Sequence, residues 1–509
     1  MRNAKPPICV VGSGTMGRGI AQVALAAGHD VWLVDPDAGQ LSAADSEIRT
    51  RLARKRPDAG QVVDSHLHTA TSLTDTTADP DTVVIEAVVE LLDVKQRVFN
   101  QAIDHFGPNV ILATNTSSLS ITEIAAGAAL PSRVVGMHFF NPVPAMRLVE
   151  VVTGLQTEPE VAELIGELAT SWGKDVTKVR SAPGFIVNRV ARPFYGEALK
   201  LLEEGAAPVE TIDEVLRTAG AFRMGPFELI DLIGCEVNFA VTQTVWTAYN
   251  YDPRFAPSQI QRELVAAQRF GRKSGHGFYR YDGDVVRVIP EPARSSAVGP
   301  AEVIVHGHCE QLEAVVTRSG VSVSRKETSG APALEFPGVG VVQTTQGRTA
   351  QEEAVHGGCN VVLLDRCLDP ETTAALAFSS TAPALSDALT GLLDRAGVRG
   401  YAVADTPGLI VARIVAMIIN EACETALHGV ATPADIDTAM MLGTNYPLGP
   451  FEWCDKWSAA TTVELLDNLW AEYHDARYRT SVRLRALGRS SAAATTPPTA
   501  GRVPLTQSR

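Results

Sequence analysis

Ile8-Cys9-Val10-Val11-Gly12-Ser13-Gly14-Thr15-Met16-Gly17-Arg18 is an apolar run, a glycine turn and the opening of a helical pattern, all within eleven residues. Four apolar residues in a row read as a strand buried on both faces. In the GxGxxG spacing, Gly12 permits a tight turn and Gly14 lets backbone approach a pyrophosphate. Gly17 lets helix pack closely on strand, and the N-terminus of the helix that opens at Arg18 then faces the phosphates, with Thr15 and Met16 of the loop as further candidate cofactor contacts. Glycine turns are common, so the context carries the weight. A second apolar run, Val31-Trp32-Leu33-Val34, ends at Asp35, 18 residues beyond Gly17. An acid there accepts both ribose hydroxyls of a dinucleotide and repels a 2′-phosphate, so NAD is expected rather than NADP.

Outward from this stretch, Val83–Val88, Val110–Ala113 and Val134–Met137 continue the series of buried strands. Helical pattern fills Arg18–Ala27 and Asp93–Phe106. Such alternation predicts an α/β Rossmann domain, doubly wound, over 1–182. From Pro183 the apolar residues take helical spacing, which predicts an all-helical domain over 183–281. Residues 282–300, with Pro290, Pro292 and Pro300, read as a linker. Strand-like runs return over 301–404, as a reduced Rossmann-like domain. A second helical domain is expected over 405–484 and a flexible tail over 485–509.

The second helical region is a repeat of the first. Residues 181–234 align with 405–458 at a constant offset of 224 without a gap, and 16 of 54 positions are identical, the block Gly225-Pro226-Phe227-Glu228 among them. The copy lacks chemistry: Ala412 stands where the first has Asn188, and no GxGxxG follows the strand before Gly307-His308-Cys309. One active site is therefore expected, in the first half. His306, His308 and Cys309 have no matching second cluster and read as a strand end rather than a metal site.

Composition narrows the function. The chain has 509 residues, 58 acids against 44 Lys and Arg, and a formal charge of -14. Such a field disfavours nucleic acid and anionic membrane. No run reaches the 18 apolar residues of a membrane span. Seven cysteines without a CxxC pair read as reduced thiols of a cytoplasmic protein. The acidic balance means that an anionic ligand must be met by local cations, and Arg49, Arg51, Arg54, Lys55 and Arg56 form the one dense basic cluster singled out here.

Two polar clusters sit where ligands bind such a sheet, at the carboxyl ends of strands. Asn115-Thr116-Ser117-Ser118 follows one strand, and His138 with Asn141 closes another. Glu150 lies in the apolar run Leu148–Val152, where a carboxylate needs a partner, and His138 is a suitable one.

With GSGTMG, EAVVE (86–90), NTSSLS, GMHFFNPVPAMRLVEVV (136–152), PGFIVNRV, MGPFELIDLIG and FGRKSGHGFYRY in this order over about residues 6–281, the chain resembles the L-3-hydroxyacyl-CoA dehydrogenases. Its later half resembles the three-part members, often called 3-hydroxybutyryl-CoA dehydrogenases, some of which act on 3-hydroxyadipyl-CoA. The resemblance implies reversible NAD-dependent oxidation of an acyl-CoA 3-hydroxyl, in fatty-acid or phenylacetate catabolism. It implies that His138 is the general base, Glu150 orients it, and Ser117 and Asn188 hold the substrate. Glu90, Lys95, Ser117, Asn141 and Lys273 match family contacts to the cofactor. The basic cluster falls where relatives place a coenzyme-A-contacting hairpin. Two rivals remain open: a dehydrogenase of free hydroxy or sugar acids, and a non-catalytic dinucleotide-binding protein. Relatives pair through their helical domains, so either a homodimer or a pseudo-dimeric monomer is expected.

Overall fold

The computed structural model describes residues 5–495 apart from 55–58, 282, 284–287, 296–298 and 329. The chain forms two units. The first comprises Met1–Arg192, Ala240–Tyr251 and His428–Gly449; the second comprises Pro193–Phe239, Asp252–Leu427 and Pro450–Arg509.

The first unit is built on an eight-stranded sheet: β1 (Ile8–Val11), β2 (Val31–Val34), β3 (Leu67–Ala70), β4 (Val83–Glu86), β5 (Ile111–Thr114), β6 (Val134–Phe139), β7 (Leu148–Thr153) and β8 (Asp175–Arg180). Their order is β3-β2-β1-β4-β5-β6-β7-β8. Every neighbouring pair is parallel except β6 and β7. The order reverses between β1 and β4, which opens the ligand crevice of a doubly wound sheet. Helices α1 (Thr15–Ala26), α2 (Ala38–Ala53), α3 (Ala59–His66), α4 (Leu92–Phe106), α5 (Ile121–Ala126) and α6 (Pro159–Ser171) connect the strands. Covered on both faces, β1, β4, β5 and β6 bury every residue, and this is why they read as continuous apolar runs. The core joins Ile8, Val10, Ile20, Val31, Leu33, Ile85, Val135 and Val149. On α4 the buried positions are Lys95, Phe99, Ala102 and Phe106, a stripe at helical spacing with an ammonium at its head.

Segments from both helical repeats complete this unit. The Arg180 N–H donates to the Val430 carbonyl at 2.8 Å, and the helix Pro433–Thr444 packs against β7, β8 and the short helix Val187–Val190.

The second unit holds a seven-stranded sheet: β9 (Glu302–His306), β10 (Ser322–Lys326), β11 (Ala333–Phe336), β12 (Gly340–Thr344), β13 (Val361–Leu364), β14 (Ala375–Ser380) and β15 (Arg399–Ala402). The order is β10-β9-β11-β12-β13-β14-β15. A hairpin joins β11 to β12 where the first sheet has the crossover β4-α4-β5. The linker is packed rather than free where it is described: the Ala293 N–H donates to the Gly400 carbonyl, and Arg395 reaches the Pro300 carbonyl. Val411–Leu427 is buried on all sides through Thr425, as the central helix of a helical layer.

The tail expectation needs correction. Val482–Thr495 is a helix packed on Ala459–Tyr473, with Leu484 fully buried. Its alanine content favours helix, and Leu484 supplies an apolar anchor that composition alone conceals. Residues 496–509 lie outside the described residues.

Candidate active site

The glycine turn has the shape that its spacing implies. A Cβ on Gly17 would lie 1.7 Å from the Gly12 carbonyl oxygen, so helix and turn meet too closely for any side chain. At Gly14, the N-cap of α1, nothing stands within 4 Å of that position. The turn is therefore closed on its inner side and open outward, which fits a pyrophosphate approaching backbone N–H groups. Thr15 is exposed there, whereas Met16 packs against the core. Asp35 follows β2 beside the turn; its Oδ2 accepts from the Ser13 N–H and Ser13 hydroxyl, both at 2.8 Å. The residues present fit NAD.

His138 and Glu150 face each other directly across the antiparallel pair β6–β7. His138 Nδ1 lies 2.7 Å from Glu150 Oε2, with the ring 5% and the glutamate 0% exposed. Glu150 Oε1 accepts from the N–H groups of Ile186 and Val187 at 3.0 and 3.1 Å. Backbone N–H groups at the start of a helix thus fix the orientation of the carboxylate. With Nδ1 turned to Glu150, Nε2 is the ring nitrogen left to meet a ligand. Phe140 and Phe185 flank the ring at 4.5 and 5.7 Å between centroids.

Asn188, two residues past the Ile186 N–H, makes a long contact of 3.4 Å from Nδ2 to the Ser117 carbonyl. Asn115 Oδ1 accepts from the Phe139 N–H at 2.9 Å and ties the Ser117 turn to the end of β6. Ser117, His138, Glu150 and Asn188 are therefore brought together by the ends of β5, β6 and β7 and by the Val187–Val190 helix.

Glu90 and Lys95 stand beside the same turn. Glu90 accepts from the Ser117 and Ser118 N–H groups at 3.1 and 3.3 Å, and from the hydroxyls of Thr116 and Ser118. Burial alone would raise its pKa, but Lys95 and those hydroxyls outweigh burial and hold Glu90 below the usual range. Lys95, 1% exposed, lies between Glu86 and Glu90. Both residues thus have protein partners and shape the turn itself. Asn141 is exposed after β6. Lys273 belongs to the second unit, where it pairs with Glu236.

Two expectations change meaning. Arg49 is paired with Asp45 and Asp64, and Arg51 with Glu47, so these two members of the basic cluster have local acidic partners. Lys55 and Arg56 lie outside the described residues. The signature blocks of the first helical repeat are architectural. Asp213 accepts from the Phe227 and Glu228 N–H groups and the Tyr279 hydroxyl. Asp231 accepts from the Phe278 and Tyr279 N–H groups and the Tyr281 hydroxyl. In the second unit His306 pairs with Glu335 and His308 with Glu313; no metal-binding group occurs among the described residues. No helix among them is long and apolar enough to cross a membrane.

Glu86 and Thr114 escaped the reading of the sequence. The argument that found Glu150, a carboxylate in an apolar run, applies equally to Glu86 after Val83-Val84-Ile85.

Comparison with known proteins covers nearly the whole chain. Residues 7–182 match the 3-hydroxyacyl-CoA dehydrogenase NAD binding domain, and 184–281 and 408–495 match the C-terminal domain of that family. Residues 342–407 match the 3-hydroxybutyryl-CoA dehydrogenase reduced Rossmann-fold domain. A 3-hydroxyadipyl-CoA dehydrogenase of Escherichia coli is 42% identical over 94% of this chain and 96% of its own length. A crystal structure of 3-hydroxybutyryl-CoA dehydrogenase from the same organism superposes with a TM-score of 0.87 at 39% identity, covering 96% of this chain and 99% of that one. A probable 3-hydroxybutyryl-CoA dehydrogenase of Deinococcus radiodurans, 39% identical, spans 53% of this chain and 99% of its own length. Glycine turn, His–Glu pair, reduced second sheet and these likenesses agree: the chain belongs to the 3-hydroxyacyl-CoA dehydrogenase family and is an NAD-dependent oxidoreductase.

Proposed function

We propose that the first unit oxidises a 3-hydroxyacyl-CoA, 3-hydroxybutyryl-CoA or 3-hydroxyadipyl-CoA, to the 3-oxoacyl-CoA, reversibly, in a cytoplasmic setting. The observation that carries this reading is the buried His138–Glu150 pair at the carboxyl edge of a dinucleotide-binding sheet.

His138 Nε2 takes the proton of the substrate 3-hydroxyl as the C3–H bond breaks. Glu150 fixes the tautomer and stabilises the imidazolium that forms. Ser117 and Asn188 hold the substrate oxygens, so that C3 is presented in one orientation. Bound NAD supplies a hydride acceptor, and the glycine turn with Asp35 would hold it. In the reverse direction His138 returns the proton to the 3-oxo oxygen.

The test is reduction of acetoacetyl-CoA against free acetoacetate with NADH, followed by oxidation of the two hydroxyacyl-CoA candidates. A marked preference for the thioester is expected. Equal rates with the free acid would overturn the reading in favour of a hydroxy-acid dehydrogenase.

A further inference from the structure

We propose that Glu86 is a positioning residue for this reaction, setting the geometry of the Ser117 turn through two arms, one through Lys95 and Glu90 and one through Thr114. The proposal rests on the role given to Ser117 above.

Glu86 is the last residue of β4 and is 0% exposed. Lys95 occupies the core-facing stripe of α4 in line with Phe99, Ala102 and Phe106. An ammonium there is tolerable only with close partners. Glu86 provides both oxygens, at 2.8 and 3.0 Å from Lys95 Nζ. Its Oε1 also accepts from the Val88 N–H at 2.7 Å, and its Oε2 from the Thr114 hydroxyl at 2.7 Å.

The first arm continues from Lys95 Nζ to Glu90 Oε2 at 3.0 Å. The other oxygen of Glu90 gathers the Thr116 hydroxyl and the Ser117 and Ser118 N–H groups. Glu90 is 39% exposed, so without Lys95 it is free to turn to water. Glu86 fixes Lys95, and Lys95 fixes which way Glu90 faces. The second arm is shorter: Thr114 Oγ1 donates to Glu86 and accepts from the Thr116 N–H at 3.2 Å. Both arms end on Thr116–Ser118.

A buried ion pair is a weak means of holding a sheet together, since apolar residues of equal volume do as well. Its stronger effect is to select one geometry, here for a turn that carries a substrate-holding residue. The second sheet offers an internal contrast. Where β11 and β12 form a hairpin there is no α4 to carry a lysine, and Asp365 and Ala377 stand at the positions that match His138 and Glu150. Clamp and chemistry are lost together.

Glu86→Gln in the 509-residue chain tests both arms at their common origin, and Thr114→Val the shorter arm alone. Loss of turn alignment by a fraction of an ångström should lower the kcat of acetoacetyl-CoA reduction about 30-fold in Glu86→Gln and about fivefold in Thr114→Val. KM for NADH should change by less than about threefold. The deuterium isotope effect on kcat, with NADH labelled at the transferred position, should rise because the hydride step becomes limiting. A merely structural role would lower the active fraction and leave that isotope effect unmoved. Folded Glu86→Gln with kcat within about twofold of wild type, or with a reduced kcat and an unchanged isotope effect, overturns the proposal. If Glu86→Gln does not fold, Thr114→Val decides by the same two readouts. A wild-type protein that fails to reduce acetoacetyl-CoA would remove the reading of the site and this proposal with it. An active wild type with an unaffected Glu86→Gln removes the proposal alone.

Discussion

The two sheets share their last four strands and differ in one carboxylate. In β5–β8 and in β12–β15 neighbouring strands run parallel, antiparallel, parallel. Register makes the match residue by residue. Thr177 lies opposite Glu150, and Glu150 opposite His138. At the repeat offset of 224, Thr177 becomes Tyr401, which lies opposite Ala377. The Asp365 N–H donates to the Ala377 carbonyl. Asp365 therefore stands in the place of His138, Ala377 in that of Glu150, and Ala412 in that of Asn188. One duty survives the exchange. Glu150 accepts the N–H groups of Ile186 and Val187; Asp365 accepts those of their counterparts Ile410 and Val411, and Ala412 and Arg366 besides. A carboxylate at a buried helix start satisfies donors that would otherwise be orphaned. In the first sheet the matching carboxylate has one oxygen left over, and that oxygen meets His138.

The sharpest break of this comparison is His138→Gln. It should lower kcat by about a thousandfold with NAD affinity retained, because the proton acceptor alone is removed. Steady-state rates and cofactor titration check it; unchanged turnover would remove His138 from the mechanism. Asp365→Ala strikes the matching place in the second sheet. It leaves three buried N–H groups and that of half-buried Arg366 without acceptors and should destabilise the protein by about 3 kcal/mol, with kcat per folded molecule unchanged. Denaturant unfolding with parallel activity measurement would show it. Lost turnover in a folded variant would mean that the second sheet takes part in the reaction. Asp35→Ser should shift the NADP-to-NAD preference by about tenfold, since a carboxylate no longer faces the 2′-phosphate. An unmoved preference would reassign the ribose contact.

The smallest effect concerns pH. Burial pushes the Asp365 carboxyl up to about 6 and that of Asp213 to about 7. Each folded value lies above the unfolded one, so the folded state binds the extra proton. Stability is then highest below the ordinary carboxylate value and falls as pH rises toward 7, flattening above it. Glu90 and Glu204 are held below the ordinary range and lose their contribution only at more acidic pH, outside this window. Thermal melting should therefore occur a few degrees higher near pH 5.5 than near pH 7.5 (about 2 °C or more). Asp365→Asn should flatten part of that slope.

Legibility in the sequence followed the range of the interactions. The glycine turn, Asp35, and the pairing of His138 with Glu150 were readable because strand period and apolar context confine each residue to one face or one strand end. The clamp on the Ser117 turn was not. Lys95 looks like a surface charge until α4 is turned so that its stripe faces the sheet. The basic cluster concealed partners of its own, since Arg49 and Arg51 meet acids on their own helix or the next one.

By itself the sequence determined the doubly wound sheet, the cofactor class, the duplicated helical region and the absence from the second half of a GxGxxG turn and of a counterpart of Asn188. All of these rest on local periodicity and on residue identity at short spacing. Tertiary structure alone decided which partners the buried charges other than Glu150 take. It gave Glu90 and Lys95 a turn to hold, set Asp365 in the place of a histidine, and drew segments of both helical repeats into each unit. The reason is physical: a buried charge is settled by whatever the fold brings within about 3 Å of it, and residues far apart in the chain supply those partners.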